Sequence, residues 1–105
     1  MPNVIRKENG VMTVKITGDI DHHTCKDLRN EIDSILLCES PECMLFDLTE
    51  CDFMDSSGLG LILGRFRKCT ENGCEFKIVN PSGKTLKILR MAGVDKLIKV
   101  ESIEI

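Results

Sequence analysis

The sequence has no tryptophan and no tyrosine, and only four phenylalanines in 105 residues. Aromatic cages for cationic ligands and stacking platforms for nucleic-acid bases are built from such side chains, so their scarcity counts against both. Basic charge is not in excess either. Fourteen Lys and Arg face 17 Asp and Glu, a formal net charge of −3, and the sequence pI is about 5.4. A nucleic-acid-binding domain normally carries a basic stripe. No apolar run approaches the ~20 residues of a membrane span. The opening Met1-Pro2-Asn3-Val4-Ile5-Arg6-Lys7-Glu8 lacks the apolar core of a secretion leader. These absences predict a cytoplasmic protein with no nucleic-acid partner and no membrane partner. Linkers rich in Pro or Ser, repeats and low-complexity stretches are also missing. The length is that of one domain, so residues 1–105 are expected to fold as a single unit that buries about two-thirds of its surface without metal or disulfides.

What the chain does have is cysteine, six in all: Cys25, Cys38, Cys43, Cys51, Cys69 and Cys74. An even count in a short chain suggests a disulfide framework only in a secreted context. Two pairs have Cys-x4-Cys spacing, at the outer limit for zinc, but no Cys-x-x-Cys occurs, and His22 and His23 lie far from both pairs. The pattern favours reduced, mostly buried thiols acting as small hydrophobes, with zinc and disulfides as the alternatives. No metal and no cofactor are expected.

Periodicity supplies the elements. Val4–Lys7 is an extended candidate, and Asn9-Gly10 is a strong hairpin signal. Met12, Val14 and Ile16 alternate with Thr13, Lys15 and Thr17, the pattern of a half-buried strand. Cys25, Leu28, Ile32, Ile35 and Leu36 fall on one stripe of a helix over 21–37, opposite Lys26, Asp27, Arg29, Asn30 and Glu31, with Asp21 or Thr24 as cap. Cys43–Leu48 is short and nearly all apolar, which suits a central strand covered on both faces. Leu59, Ile62, Leu63, Phe66 and Cys69 form a second helical stripe, closed at Asn72-Gly73. Glu75–Val79 reads as a strand and Pro81-Ser82 opens a third helix ending at Gly93. Lys96–Val100 reads as a last strand. The order β-β-α-β-α-β-α-β implies an α/β fold, a small mixed sheet with helices packed on one face. The uncovered face must then carry Thr and Lys rather than Val and Ile.

Chemistry has three places to live. Phe53-Met54-Asp55-Ser56-Ser57-Gly58-Leu59-Gly60 puts two serines at a helix N-terminus, where unpaired N–H groups and the positive dipole end welcome an anion. A serine acting simply as N-cap accounts for the same residues. A nucleophile elbow fails because Met54 stands where Gly-x-Ser-x-Gly needs its first glycine. A phosphate loop ending in Gly83-Lys84-Thr85 fails likewise at Ile78. The second place is Gly18-Asp19-Ile20-Asp21-His22-His23-Thr24, a capped helix start whose adjacent imidazoles diverge too far to share a metal. The third, Lys84, Lys87, Arg90 and Lys96, reads as a solvated basic face.

The segment Asp55-Ser56-Ser57-Gly58-Leu59-Gly60, with Phe53-Met54 before it and Leu61-Ile62-Leu63-Gly64-Arg65 after it, resembles the phosphorylation motif of anti-sigma factor antagonists. The Gly18–Thr24 segment resembles the same family, in particular its sporulation anti-sigma-F branch, and the likeness covers nearly the whole chain. The resemblance implies the STAS fold and a partner-switching protein rather than an enzyme. In that family the unphosphorylated antagonist binds an anti-sigma factor that is also a serine kinase, and so frees the sigma factor. Phosphorylation disables it and a metal-dependent serine phosphatase restores it. Carried over, Ser56 is the phosphoacceptor, and Asp55, Ser57, Gly58 and Leu59, with Asp21, His22, His23 and Thr24, form the partner surface. The motifs do not explain the cysteines. A STAS scaffold without serine phosphorylation and a small metal-binding thiol protein are the competing readings.

Overall fold

The computed structural model describes residues 3–103. Met1 and Pro2, part of the opening segment that lacks a leader's apolar core, lie outside them. Asn9 at φ 51° and Gly10 at φ 81° make the turn between β1 (Asn3–Glu8) and β2 (Val11–Thr17). Positive φ at both central positions is the type I′ geometry whose twist suits a two-residue hairpin. The strands pair antiparallel with Glu8 opposite Val11. After β2 every return to the sheet is a crossover, through α1 (His22–Glu39), β3 (Cys43–Glu50), α2 (Ser56–Glu71), β4 (Glu75–Val79), α3 (Gly83–Met91), a 3-10 turn at Val94–Lys96, and β5 (Lys99–Glu101). β2, β3, β4 and β5 pair in parallel, each beside its predecessor. This is the mixed sheet and element order that the sequence pattern predicts.

Met12, Val14 and Ile16 of β2, Met44, Phe46 and Leu48 of β3, and Phe76 and Ile78 of β4 are buried on one side of the sheet. Leu28 and Ile32 of α1, Ile62 and Cys69 of α2 and Leu89 of α3 join them in one core cluster. On the other side the rows Thr13–Leu45–Lys77–Lys99 and Lys15–Asp47–Val79–Glu101 cross the strands. Ion pairs join that surface: Lys15 to Glu50 at 2.6 Å, and Lys77 and Lys99 both to Glu101. The expected Thr and Lys are there, but β3 departs from expectation. Cys43 and Leu45 are only half-buried, because Leu45 is flanked by Thr13 and Lys77 and not by a helix.

The last strand is also shorter than the sequence suggested. Val94 and Ile98 are both buried, while Leu97 between them is exposed. Ile98 N–H donates to the Val94 carbonyl at 2.9 Å, a helical spacing that brings both side chains to the core within one turn. Only Lys99–Glu101 therefore pairs with β4.

All six cysteines are free thiols. Cys51, Cys69 and Cys74 are buried, Cys25 and Cys43 half-buried, and Cys38 exposed, so the thiol-as-hydrophobe reading fits half of them fully. Cys69 Sγ lies 3.9 Å from Met44 Sδ in the core. Burial pushes the Cys51, Cys69 and Cys74 thiols upward from their ordinary range. For Cys74 this desolvation outweighs the contact with Cys69 that works the other way. Since the thiolate is the reactive form, a disulfide reagent at neutral pH should modify Cys38 first. Cys51, Cys69 and Cys74 should react roughly tenfold or more slowly, in step with unfolding. Mass spectrometry of the time course checks the order, and early labelling of Cys69 would contradict this packing.

Candidate functional site

The two segments singled out in the sequence lie side by side at the carboxyl ends of β2 and β3. Backbone bonds hold them there. Gly18 N–H donates to the Glu50 carbonyl at 2.9 Å, Ile20 N–H to Phe53 at 2.9 Å, and Asp55 N–H back to Ile20 at 3.3 Å. Ile20 and Met54 form an isolated parallel bridge, so the loops leaving β2 and β3 continue the sheet pairing for a few residues before each turns into its helix. Gly58 then crosses close over that bridge. A Cβ on it would lie 2.9 Å from Met54 Cβ and 3.0 Å from Ile20 Cγ2. The contact is made by side chains fixed in the core, since Ile20 and Met54 are both buried.

Each helix starts on an aspartate. Asp21 caps α1, accepting from His23 N–H at 2.9 Å and Thr24 N–H at 3.1 Å, while Thr24 Oγ1 accepts from Asp21 N–H at 3.1 Å. Asp21 and Thr24 thus act together in a reciprocal capping box rather than as alternatives. The Thr24 N–H bond holds the Asp21 carboxyl below its usual range. The stability this gives is present above the ordinary carboxylate range and is lost as pH falls through the lowered value. Asp55 caps α2, accepting from Ser57 N–H at 2.8 Å and Gly58 N–H at 3.2 Å. The expectation that a serine caps this helix is therefore corrected: aspartate takes the role, and both serines lie inside the helix.

That correction leaves Ser56 as the first residue of α2, exposed, with Ser57 and Leu59 half-buried and Gly58 buried. His22 and His23 are exposed in the first turn of α1, their rings 6.0 Å apart and tilted by 68°. Phe53, nearly half exposed, stands just before the α2 cap. Among the described residues no group of three or more His, Cys, Asp or Glu side chains is placed to hold a metal ion. The basic residues of α3 and its exit, Lys84, Lys87, Arg90 and Lys96, are exposed and distant in chain from this end of the sheet. The helical pattern puts Lys26 and Arg29 on the solvent side of α1, and both are exposed. They line a groove facing α2, together with Arg65. The signal was present in the spacing of residues 22, 26 and 29, which places them in one row along a helix.

The STAS-domain family model matches residues 3–104. The anti-sigma F factor antagonist of Paenibacillus polymyxa is 32% identical over 96 residues, which are 91% of this chain and 82% of that protein. This chain belongs to the STAS-domain family of anti-sigma factor antagonists. The STAS fold is also that of SpoIIAA in its unphosphorylated form, with a TM-score of 0.83 at 23% identity, covering 93% of this chain and 86% of that one. The Bacillus SpoIIAA structure in the phosphorylated form gives a TM-score of 0.75 at 23% identity, over 93% and 89% of the two chains.

In this STAS domain the close approach at Gly58 is open to test. Gly58→Ala should gain about 1 kcal/mol of helix propensity, but overpacking against Ile20 and Met54 costs about 1–3 kcal/mol. Net destabilisation of about 1 kcal/mol is expected by urea unfolding. A stabilised variant would show that the loops can separate freely.

Proposed function

We propose that this STAS domain acts as an anti-sigma factor antagonist by binding, not by catalysis, and that phosphorylation of Ser56 switches it off. In this reading the unmodified chain docks on a kinase-type anti-sigma factor in the cytoplasm and so frees a sigma factor, of the sporulation sigma-F kind. The kinase transfers the γ-phosphoryl group of ATP to Ser56 Oγ and ADP leaves. A metal-dependent serine phosphatase hydrolyses the phosphoester and restores the hydroxyl. Asp21, His22, His23, Thr24, Asp55, Ser57, Gly58 and Leu59 make up the docking surface around it. Among the described residues no helix is long and apolar enough to cross a membrane.

The observation that carries this reading is the division of labour at the start of α2. Asp55 holds the helix cap, so the exposed Ser56 can be modified without unmaking it. A small neutral hydroxyl allows a partner to approach closely. A phosphate adds about −1.5 to −2 charge and considerable bulk. Desolvating that charge in an interface without a matching cation costs on the order of 3 kcal/mol, about two decades of affinity. Within the chain itself the same charge sits at the positive end of the α2 dipole, where it is favoured.

Incubation with the cognate kinase and ATP should place one phosphate on Ser56, located by mass spectrometry. Ser56→Ala should still bind the kinase and take up no phosphate. Phosphate on Ser57 with Ser56 untouched would overturn the assignment. No phosphate at all, with tight binding retained, would favour a STAS scaffold that does not use serine phosphorylation.

A further inference from the structure

The groove between α1 and α2 collects positive charge that partner switching leaves unexplained. It is open to solvent and encloses about 480 Å³. His22, Lys26 and Arg29 line it from α1, and Ser57, Gly60 and Arg65 line it from α2. Gly60 lines it without a side chain, and a Cβ there would meet nothing within 4 Å, so the α2 wall is hollow.

Arg65 is the unusual member, because it is only 5% exposed. Its Nε lies 3.0 Å from Asp33 Oδ1, yet the N–H direction misses that oxygen. Arg65 Nε and Nη1 and Asp33 Oδ1 are all buried without a hydrogen-bond partner among the described residues. A guanidinium has five donors and ordinarily satisfies them when buried. Here one poorly aligned carboxylate answers it, and the charge of Arg29 adds to the positive field around it. No carboxylate lines the groove, although the charges of Asp21 and Asp55 are felt at Cys25 within it. Asp21 and Asp55 are each turned into their own helix, accepting two backbone N–H groups apiece.

We propose that this groove binds a phosphate-class oxyanion, held by His22, Lys26 and Arg29 on one wall and drawn by the buried charge of Arg65 on the other. The ligand is either inorganic phosphate or the phosphate of a small monoester. The proposal concerns the unmodified protein and does not depend on what happens at Ser56.

The test is an amide NMR titration of the full chain with inorganic phosphate at constant ionic strength, balanced with chloride. Saturable shifts are expected at Ser57, Gly60 and Gly64, with a Kd of about 1–10 mM. Lys26 and Arg29 are exposed, so the double variant Lys26→Gln/Arg29→Gln should fold normally and weaken binding about tenfold. Glycerol phosphate separates the two sources: tighter binding than inorganic phosphate assigns a monoester, and weaker binding assigns the free ion. Shifts that chloride reproduces, or an unchanged Kd in a folded double variant, would overturn the proposal.

Discussion

The site depends on the stitching of two loops, those that leave β2 and β3. Three backbone hydrogen bonds and the Ile20–Met54 bridge carry the sheet pairing past the ends of the strands, so α1 and α2 begin next to one another. Parallel strands require this arrangement, since each crossover helix must start at the same edge of the sheet. Two positive helix ends and two aspartate caps are thereby brought to one surface. Gly58 sets how closely α2 can lie on the bridge, because any side chain there would press on Ile20 and Met54.

From that constraint follows a surface that is rigid beneath and adjustable on top. The caps consume the N–H groups that would otherwise need Ser56 or Ser57, and the core clamps the loops from below through Ile20, Met54 and Cys51. Thr85 at the start of α3 adds a further tie, donating to the Cys51 carbonyl at 3.0 Å. A charge added at Ser56 therefore acts mainly on what approaches from outside. Under the proposed switch the fold is common to both states, and the partner reads the difference.

Much of this was legible in the sequence, and the failures have particular causes. Asn9-Gly10 and the alternation of Met12, Val14 and Ile16 marked the hairpin and its buried face, because turn chemistry and period-2 burial are local properties. The Asp55–Gly60 and Gly18–Thr24 segments stand out in the sequence, but their adjacency does not, since it arises from pairing between loops distant in the chain. By residue type either Asp55 or a serine can cap α2, since both favour that position, and only geometry separates them. Leu97 and Ile98 looked like strand residues because a short apolar run fits either period. Lys26 and Arg29 face solvent, as the apolar stripe opposite them implies, but that pattern does not show that they also line a groove. A second helix packed beside α1 gives that flank a neighbour which no single-helix pattern contains.

The central claim is that Ser56 controls binding through charge and leaves the fold intact. Ser56→Asp measures it most directly, with a thermal melt and a titration against the ADP-loaded kinase on the same preparation. The added carboxylate gains about 0.3–1 kcal/mol from the α2 dipole, offset in part by Asp55 beside it, so stability should stay within about 1 kcal/mol of the parent. Affinity should fall strongly, though less than after phosphorylation, because aspartate carries less charge than phosphate. Parental affinity in a folded Ser56→Asp protein would contradict the account, and so would a loss of binding that merely follows a large loss of stability.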